Sequence, residues 1–202
     1  MLLALLELPE LLPRFSQLFG DSLGGGDSAV PHGESDMANE APTGFANPPH
    51  ALTANRQELQ TDDPATDTSV QACIPFYGVY DFLVRYNQHP NRRVYERFLT
   101  GKVLHETVQD NPELWDLASP VAQIHPDAPP FMVIHGTHDS LAAVAEGQVF
   151  SEKLRETSHA PVVYLEMPGA EHAWEVVHSL RTEHTIDGVH RFLEWVRAGH
   201  TG

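Results

Sequence analysis

Two short apolar runs, with an amphipathic segment between them, dominate the hydrophobic pattern of the chain. Residues 131–134 form the first run and residues 162–165 the second, while residues 142–156 place their apolar positions at helical spacing. Strand, helix and strand in this order are typical of a βαβ unit, whose two strands are parallel. The pattern therefore predicts an α/β fold with a parallel sheet.

Three further segments extend this pattern. Residues 70–77 are almost continuously apolar, which predicts a strand buried on both faces. Residues 81–111 are rich in aromatic residues and favour helix. Residues 185–197 predict a closing helix with one apolar face, formed by Val189, Phe192, Leu193 and Val196.

The N-terminal quarter of the chain has a different composition. Residues 20–49 are dense in Gly, Pro, Ser, Asp and Asn and contain almost no large apolar residues. Such a segment buries too little surface to offset its ordering entropy, which predicts a disordered linker. Residues 1–19 have helical spacing that Pro9 and Pro13 interrupt. We therefore expect a poorly structured segment over residues 1–50 and a folded part over residues 51–202.

Composition narrows the classes of function. A chain of 202 residues is long enough for one domain with a core, and its net charge of -16 argues against nucleic acid as a partner. No apolar stretch reaches the roughly 20 residues that a membrane-spanning helix needs. The apolar start lacks basic residues, so we expect no secretory signal and a cytoplasmic protein. The single cysteine, Cys73, lies in an apolar run and is expected to be buried and inert.

Each run of the βαβ unit ends in a turn that carries a residue suited to proton chemistry. Asp139 follows the first run and His172 follows the second. Because functional groups collect beyond the carboxyl ends of parallel strands, we expect the two side chains to lie within hydrogen-bonding reach. An acid and a histidine in this order match two members of a Ser-Asp-His triad. The alternatives are a helix-capping aspartate and an ordinary loop histidine.

Two motifs carry a resemblance to a known family. The turn HGTHDSL at residues 135–141 and the turn GAEHAW at residues 169–174 resemble α/β-hydrolases, closest to the bacterial hormone-sensitive-lipase-like esterases. The resemblance covers residues 69–197 and implies a three-layer α/β-hydrolase fold, incomplete on its N-terminal side. It also implies a small-molecule, short-chain carboxylic ester as substrate and no cofactor. Asp139 would then orient the imidazole of His172, which would be the general base.

The nucleophile and the oxyanion hole belong to the first third of the chain. Ser22 lies in the G-x-S-x-G sequence of residues 20–24 and resembles the nucleophile turn of the family. Neither a clear strand before it nor a helix after it is predicted, so a chance match in a Gly/Ser-rich tract is the alternative. The His-Gly-Gly motif of the family's oxyanion hole does not precede Ser22.

Two hypotheses from different classes therefore remain. The chain is a serine-type ester hydrolase, or it is a catalytically incompetent remnant that lacks the nucleophile and the oxyanion hole. The short spacing of His135 and His138 lacks a cysteine or carboxylate set, so we expect no metal site. Because no convincing partner strand precedes residues 70–77, we also expect an exposed sheet edge that favours self-association.

Overall fold

The computed structural model describes residues 48–56, 59, 65–85 and 92–199 of the chain. The helices and strands in these ranges are α1 (Pro48–Thr53), α2 (Arg92–Phe98), α3 (Pro112–Ala118), β1 (Phe131–Gly136), α4 (Val144–Thr157), β2 (Val162–Met167) and α5 (Leu180–Arg197). A π-helical segment, Leu99–Leu104, continues α2, and two 3₁₀ turns cover Pro120–Gln123 and Trp174–Val176.

The centre of the fold is the βαβ unit that the hydrophobic pattern predicts. Strands β1 and β2 are parallel and paired in register from Phe131 opposite Val162 to Gly136 opposite Met167. Helix α4 connects them and lies within two residues of its predicted bounds at either end. The predicted α/β fold with a parallel sheet is confirmed.

Helices cover both faces of the sheet because the side chains of β1 alternate between them. Phe131 and Val133 pack with residues of α4 in one core cluster. Met132 and Ile134 pack in a second cluster with the apolar stripe of α5, formed by Val189, Phe192 and Val196. All six residues of β1 are buried, and the arrangement of helix, sheet and helix confirms the predicted three layers.

Residues 70–77 differ from the regular strand that their apolar composition predicts. They run parallel to β1 but form only isolated bridges with it, one at Cys73 and one at Phe76. The N–H of Cys73 donates to the carbonyl oxygen of Pro130, just before β1, and the N–H of Tyr77 donates to that of Ile134 in β1. An N–H at position 75 would donate between these two bonds. Pro75 has no N–H, so the ladder is interrupted there. The thiol of Cys73 is buried, as predicted, and burial raises its pKa well above the usual value.

The predicted helix over residues 81–111 is correct only in part. In the described part of this segment the chain is helical from Arg92 to Leu104. Asp81 instead accepts hydrogen bonds from the backbone N–H and the side chain of Arg85, which stabilises a turn. Near the end of the segment, the side chain of Asn111 accepts from the N–H of Leu114 at 3.0 Å and begins α3.

Both ends of the folded part differ slightly from their predicted bounds. Helix α1 begins at Pro48, and α5 begins at Leu180, five residues before its predicted start. The side chain of Ser179 accepts a hydrogen bond from the N–H of Thr182, and this cap adds the extra turn. Residues 1–47, including Ser22, lie outside the described residues, so the boundary near residue 50 stays a prediction. In the described ranges, no helix has the length and apolar character needed to cross a membrane.

Candidate active site

Asp139 and His172 meet at the carboxyl edge of the sheet. The carboxylate oxygen Oδ2 of Asp139 lies 2.8 Å from Nδ1 of His172. The side chain of Asp139 is fully buried, whereas 13% of the His172 side chain is exposed. The contact expected from their two strand ends is therefore present, with the imidazole placed between a buried carboxylate and the surface.

The turn after β1 holds the carboxylate of Asp139 from its other side. Oδ1 accepts hydrogen bonds from the backbone N–H groups of Leu141 at 2.9 Å and Ala142 at 2.7 Å. Burial by itself raises the pKa of Asp139. The contacts with His135 and His172 and the two backbone donors outweigh burial and hold the pKa well below its ordinary value. Asp139 is therefore a fixed, ionised hydrogen-bond acceptor at neutral pH.

Backbone contacts hold the two site turns together. The N–H of His138 donates to the carbonyl oxygen of Ala170, and the N–H of Thr137 donates to that of Met167, both at 3.0 Å. A Cβ atom on Gly136 would lie 2.3 Å from the same Ala170 oxygen. Since no side chain fits there, glycine at this position allows the turns to approach closely enough for the acid and the histidine to meet.

The ring of Tyr77 packs against the ring of His172. The centroids of the two rings are 4.3 Å apart, and the Tyr77 hydroxyl donates to Oε1 of Glu175. Burial, the hydrogen bond to Glu175 and the charges of Glu175 and Asp139 raise the pKa of Tyr77. Tyr77 has a φ of 40°, a left-handed conformation that is costly for an aromatic residue. The ring and its bond to Glu175 fix the segment that follows His172.

Two further buried titratable residues lie on β1 and α4. His135 on β1 is fully buried, and its Nε2 is 3.0 Å from the carbonyl oxygen of Ala142 and 3.5 Å from Oδ2 of Asp139. Glu146 on α4 is 3% exposed and accepts a hydrogen bond from the N–H of Tyr80 at 3.1 Å. Burial raises the pKa of Glu146 to about 7.

The sequence indicated some of these residues and missed others. It predicted the contact of Asp139 with His172, but it considered His135 only as a metal ligand, a role that it rejected, and it assigned no role to Tyr77. One signal for His135 was available, since it lies in the same buried strand, four residues before the acid. Among the described residues there is no cluster of three or more potential metal ligands from His, Cys, Asp and Glu.

A groove of about 400 Å3 lies elsewhere, against α2 and the π-helical segment. Neither Asp139 nor His172 lines it. Its walls include Arg93, Arg97 and Trp115.

Known proteins match both the sequence and the fold. The family model described as BD-FAE matches residues 17–154. The chain belongs to the BD-FAE family. This match begins well before the resemblance at residues 69–197 and takes in Ser22.

Curated relatives of this BD-FAE chain are mycobacterial. It is 38% identical over 143 residues to "Esterase LipQ" of Mycobacterium tuberculosis, covering 71% of this chain and 33% of the relative. It is 41% identical over 149 residues to "Probable carboxylic ester hydrolase LipM" of the same organism, covering 73% and 34%. The chain thus spans about a third of the length of these relatives. The resemblance to hormone-sensitive-lipase-like esterases is confirmed.

Solved structures confirm the α/β-hydrolase fold of this BD-FAE chain. A truncated carbohydrate esterase from gut microbiota has a TM-score of 0.59 at 17% identity, with 77% of this chain and 59% of that chain covered. Esterase Est2 of Thermogutta terrifontis has a TM-score of 0.54 at 19% identity, with 76% and 54% covered. Each match covers little more than half of the other chain.

Proposed function

We propose that this chain provides the acid and the base of a serine-type carboxylic ester hydrolase. The observation that carries the proposal is the 2.8 Å contact between Asp139 and His172 at neighbouring strand ends. The esterase names of the mycobacterial relatives support the reaction class. A small ester with a short acyl chain is the substrate class that the family resemblance favours.

The geometry suits each proton step of such a reaction. Because Nδ1 of His172 binds the carboxylate, Nε2 is the nitrogen that accepts the proton of a serine hydroxyl. The serine oxygen then bonds to the ester carbonyl carbon, and the proton on Nε2 passes to the departing alcohol. Water, deprotonated by the same nitrogen, cleaves the acyl-serine and regenerates the hydroxyl. Asp139 stays ionised and stabilises the imidazolium in both steps.

We propose Ser22 as the nucleophile. Its G-x-S-x-G sequence and the start of the family match at residue 17 support this assignment. A serine nucleophile also requires backbone N–H donors that stabilise the oxyanion. The catalytically incompetent remnant is the second candidate, favoured by the Gly- and Pro-rich residues 24–36, which do not predict the helix that follows a nucleophile.

The test combines turnover with covalent labelling. The full chain is assayed on a short-chain aryl ester beside Ser22→Ala and His172→Ala, with Ser28→Ala as the matched control in the same tract. A fluorophosphonate then labels the activated serine, which peptide mass spectrometry identifies. We expect label on Ser22 and loss of turnover in the first two variants alone. Background hydrolysis that neither substitution changes, with no labelled serine, would favour the remnant.

The expected cytoplasmic location and the absence of a nucleic-acid partner stay predictions from composition. The charge of -16 supports the second of them, because phosphates would be repelled.

A further inference from the structure

His135 and His172 approach the same oxygen of Asp139. Nδ1 of His172 is 2.8 Å from Oδ2, and Nε2 of His135 is 3.5 Å from it. His135 is fully buried on β1, whereas His172 lies at the surface end of the pair. The buried carboxylate is therefore within 3.5 Å of two imidazoles, of which the proposed reaction uses only one.

The hydrogen-bond partners of His135 fix the position of its proton. Nε2 lies 3.0 Å from the carbonyl oxygen of Ala142, and a carbonyl oxygen can only accept. The proton is therefore on Nε2, which also lies 3.5 Å from Oδ2 of Asp139. Nδ1 is buried and has no hydrogen-bond partner in the described ranges. It packs against Gly147, where a Cβ atom would lie 2.8 Å away, so the ring has no room to turn.

We propose that His135 is a positioning residue for the acid–base pair. Its Nε2–H holds the turn from Asp139 to Ala142 closed and directs a positive dipole at Oδ2. A separation of 3.5 Å is long for a hydrogen bond, so the effect on Oδ2 comes mainly from this dipole. The dipole withdraws charge from the oxygen that binds His172 and keeps that oxygen in place. The inference rests on the proposed function for its kinetic consequence but not for its structural one.

Other groups near His135 are part of the same environment. Glu146 approaches from α4 and is near enough for its carboxyl group to interact electrostatically with the His135 ring. Asp139 is the other ionisable group near His135, with Oδ2 at 3.5 Å from Nε2. A substitution at 135 must therefore be compared with one that keeps an N–H donor in the place of Nε2.

Three variants separate a positioning role from simple packing. His135→Phe keeps a ring and removes the donor, whereas His135→Gln places a carboxamide N–H near the position of Nε2. His135→Asn carries a carboxamide too short to reach Asp139, and it replaces the phenylalanine variant if that protein does not fold. The first readout, which needs no turnover, is the low-field proton NMR signal of Nδ1–H in His172, assigned by its loss in His172→Ala.

We expect the signal to move further downfield in His135→Phe and His135→Asn and to stay in place in His135→Gln. Without the dipole, Oδ2 becomes a stronger acceptor for His172. For the same reason the acid limb of the pH profile of kcat/KM should move to higher pH. We also expect kcat to fall by up to about a hundredfold with KM unchanged, because the carboxylate is less well placed.

The outcomes distinguish this inference from the proposed function. A wild-type signal that none of the three variants moves would overturn the role of His135 alone. A wild-type chain without the signal would overturn both, because the acid–histidine pair would then be absent. A signal that moves as expected in a chain without turnover would support the positioning role and count against the esterase proposal.

Discussion

Glu146 is a single residue whose ionisation acts on the stability of the whole fold. It is 3% exposed, and burial raises its pKa from 4.5 to about 7. Below pH 4.5 the carboxyl is neutral in both the folded and unfolded chains. As the pH rises from 4.5 to 7, the unfolded chain loses this proton and the folded chain keeps it, so the free energy of unfolding falls.

We therefore expect Glu146→Gln to be more stable than the wild type at pH 8 and equally stable at pH 4. The gain should approach about 3 kcal/mol, the equivalent of the shift in pKa. Glutamine can still accept the hydrogen bond from the N–H of Tyr80. Denaturant unfolding at both pH values measures the difference, with Glu152→Gln on the exposed face of α4 as the control. The same pH dependence in wild type and Glu146→Gln would contradict the assignment.

Some contacts of individual residues could be predicted from the sequence, and others could not. The positions of Asp139 and His172 were predictable because each follows an apolar run and parallel strands end at the same edge. The contact of His135 with Asp139 was not, since it requires the turn after β1 to bend back over the strand. The contact of Tyr77 with His172 depends on a left-handed φ of 40°, which local preferences do not indicate for tyrosine.

At the scale of elements, the close approach of the two site turns depends on Gly136. We expect Gly136→Ala to destabilise the fold by about 1–3 kcal/mol, because its Cβ would lie 2.3 Å from the backbone oxygen of Ala170. Hydrolytic activity should fall further than stability, since the turns that carry Asp139 and His172 must separate.

Gly188→Ala is the matched control. A Cβ at position 188 in α5 meets only the Cε atom of Met132, at 3.9 Å, and alanine is the better helix former. We therefore expect this variant to gain about 0.5–1 kcal/mol of stability. Thermal unfolding and ester turnover of both variants measure the contrast. Equal effects of the two substitutions would show that the approach of the turns does not depend on Gly136.

The outer edge of residues 72–77 is the second feature at this scale. No strand in the described part of the chain pairs with it, and the N–H of Ile74 lies on that side. We propose that this edge mediates self-association. Ile74→Pro removes an outward donor and leaves the bonds from Cys73 to Pro130 and from Tyr77 to Ile134. We expect it to shift the chain towards monomer in sedimentation velocity across a concentration series, and unchanged association would exclude this edge.

Helices and strands were predictable where their hydrophobic periodicity is strong. The βαβ unit and the closing helix have clear periodicity, and both are present. The strand at residues 70–77 is irregular because Pro75 has no N–H to donate to β1. The sequence alone does not show that position 75 faces β1, since this depends on how the two strands pair. The helix expected from residue 81 is displaced because Asp81 bonds to Arg85 locally, which is a preference of aspartate in turns.

At the scale of the whole molecule, the expected division near residue 50 can be tested directly. The composition of residues 20–49 predicts that limited proteolysis cuts there well before it cuts within the βαβ unit. Mass spectrometry of a time course identifies the first sites. Protection of that segment equal to that of β1 would contradict the linker and strengthen Ser22 as the nucleophile.

The βαβ unit also has a consequence for folding kinetics. Asp139 and His172 are 33 residues apart, and β1, α4 and β2 form one contiguous stretch of chain. Contacts of short sequence separation close quickly, whereas pairing of β1 with residues 72–77 must first close a loop of more than 50 residues. We therefore expect β1, α4 and β2 to gain amide protection as one early cooperative unit in pulsed hydrogen exchange. The hydrogen bond between Asp139 and His172 would then form before residues 72–77 pair with β1.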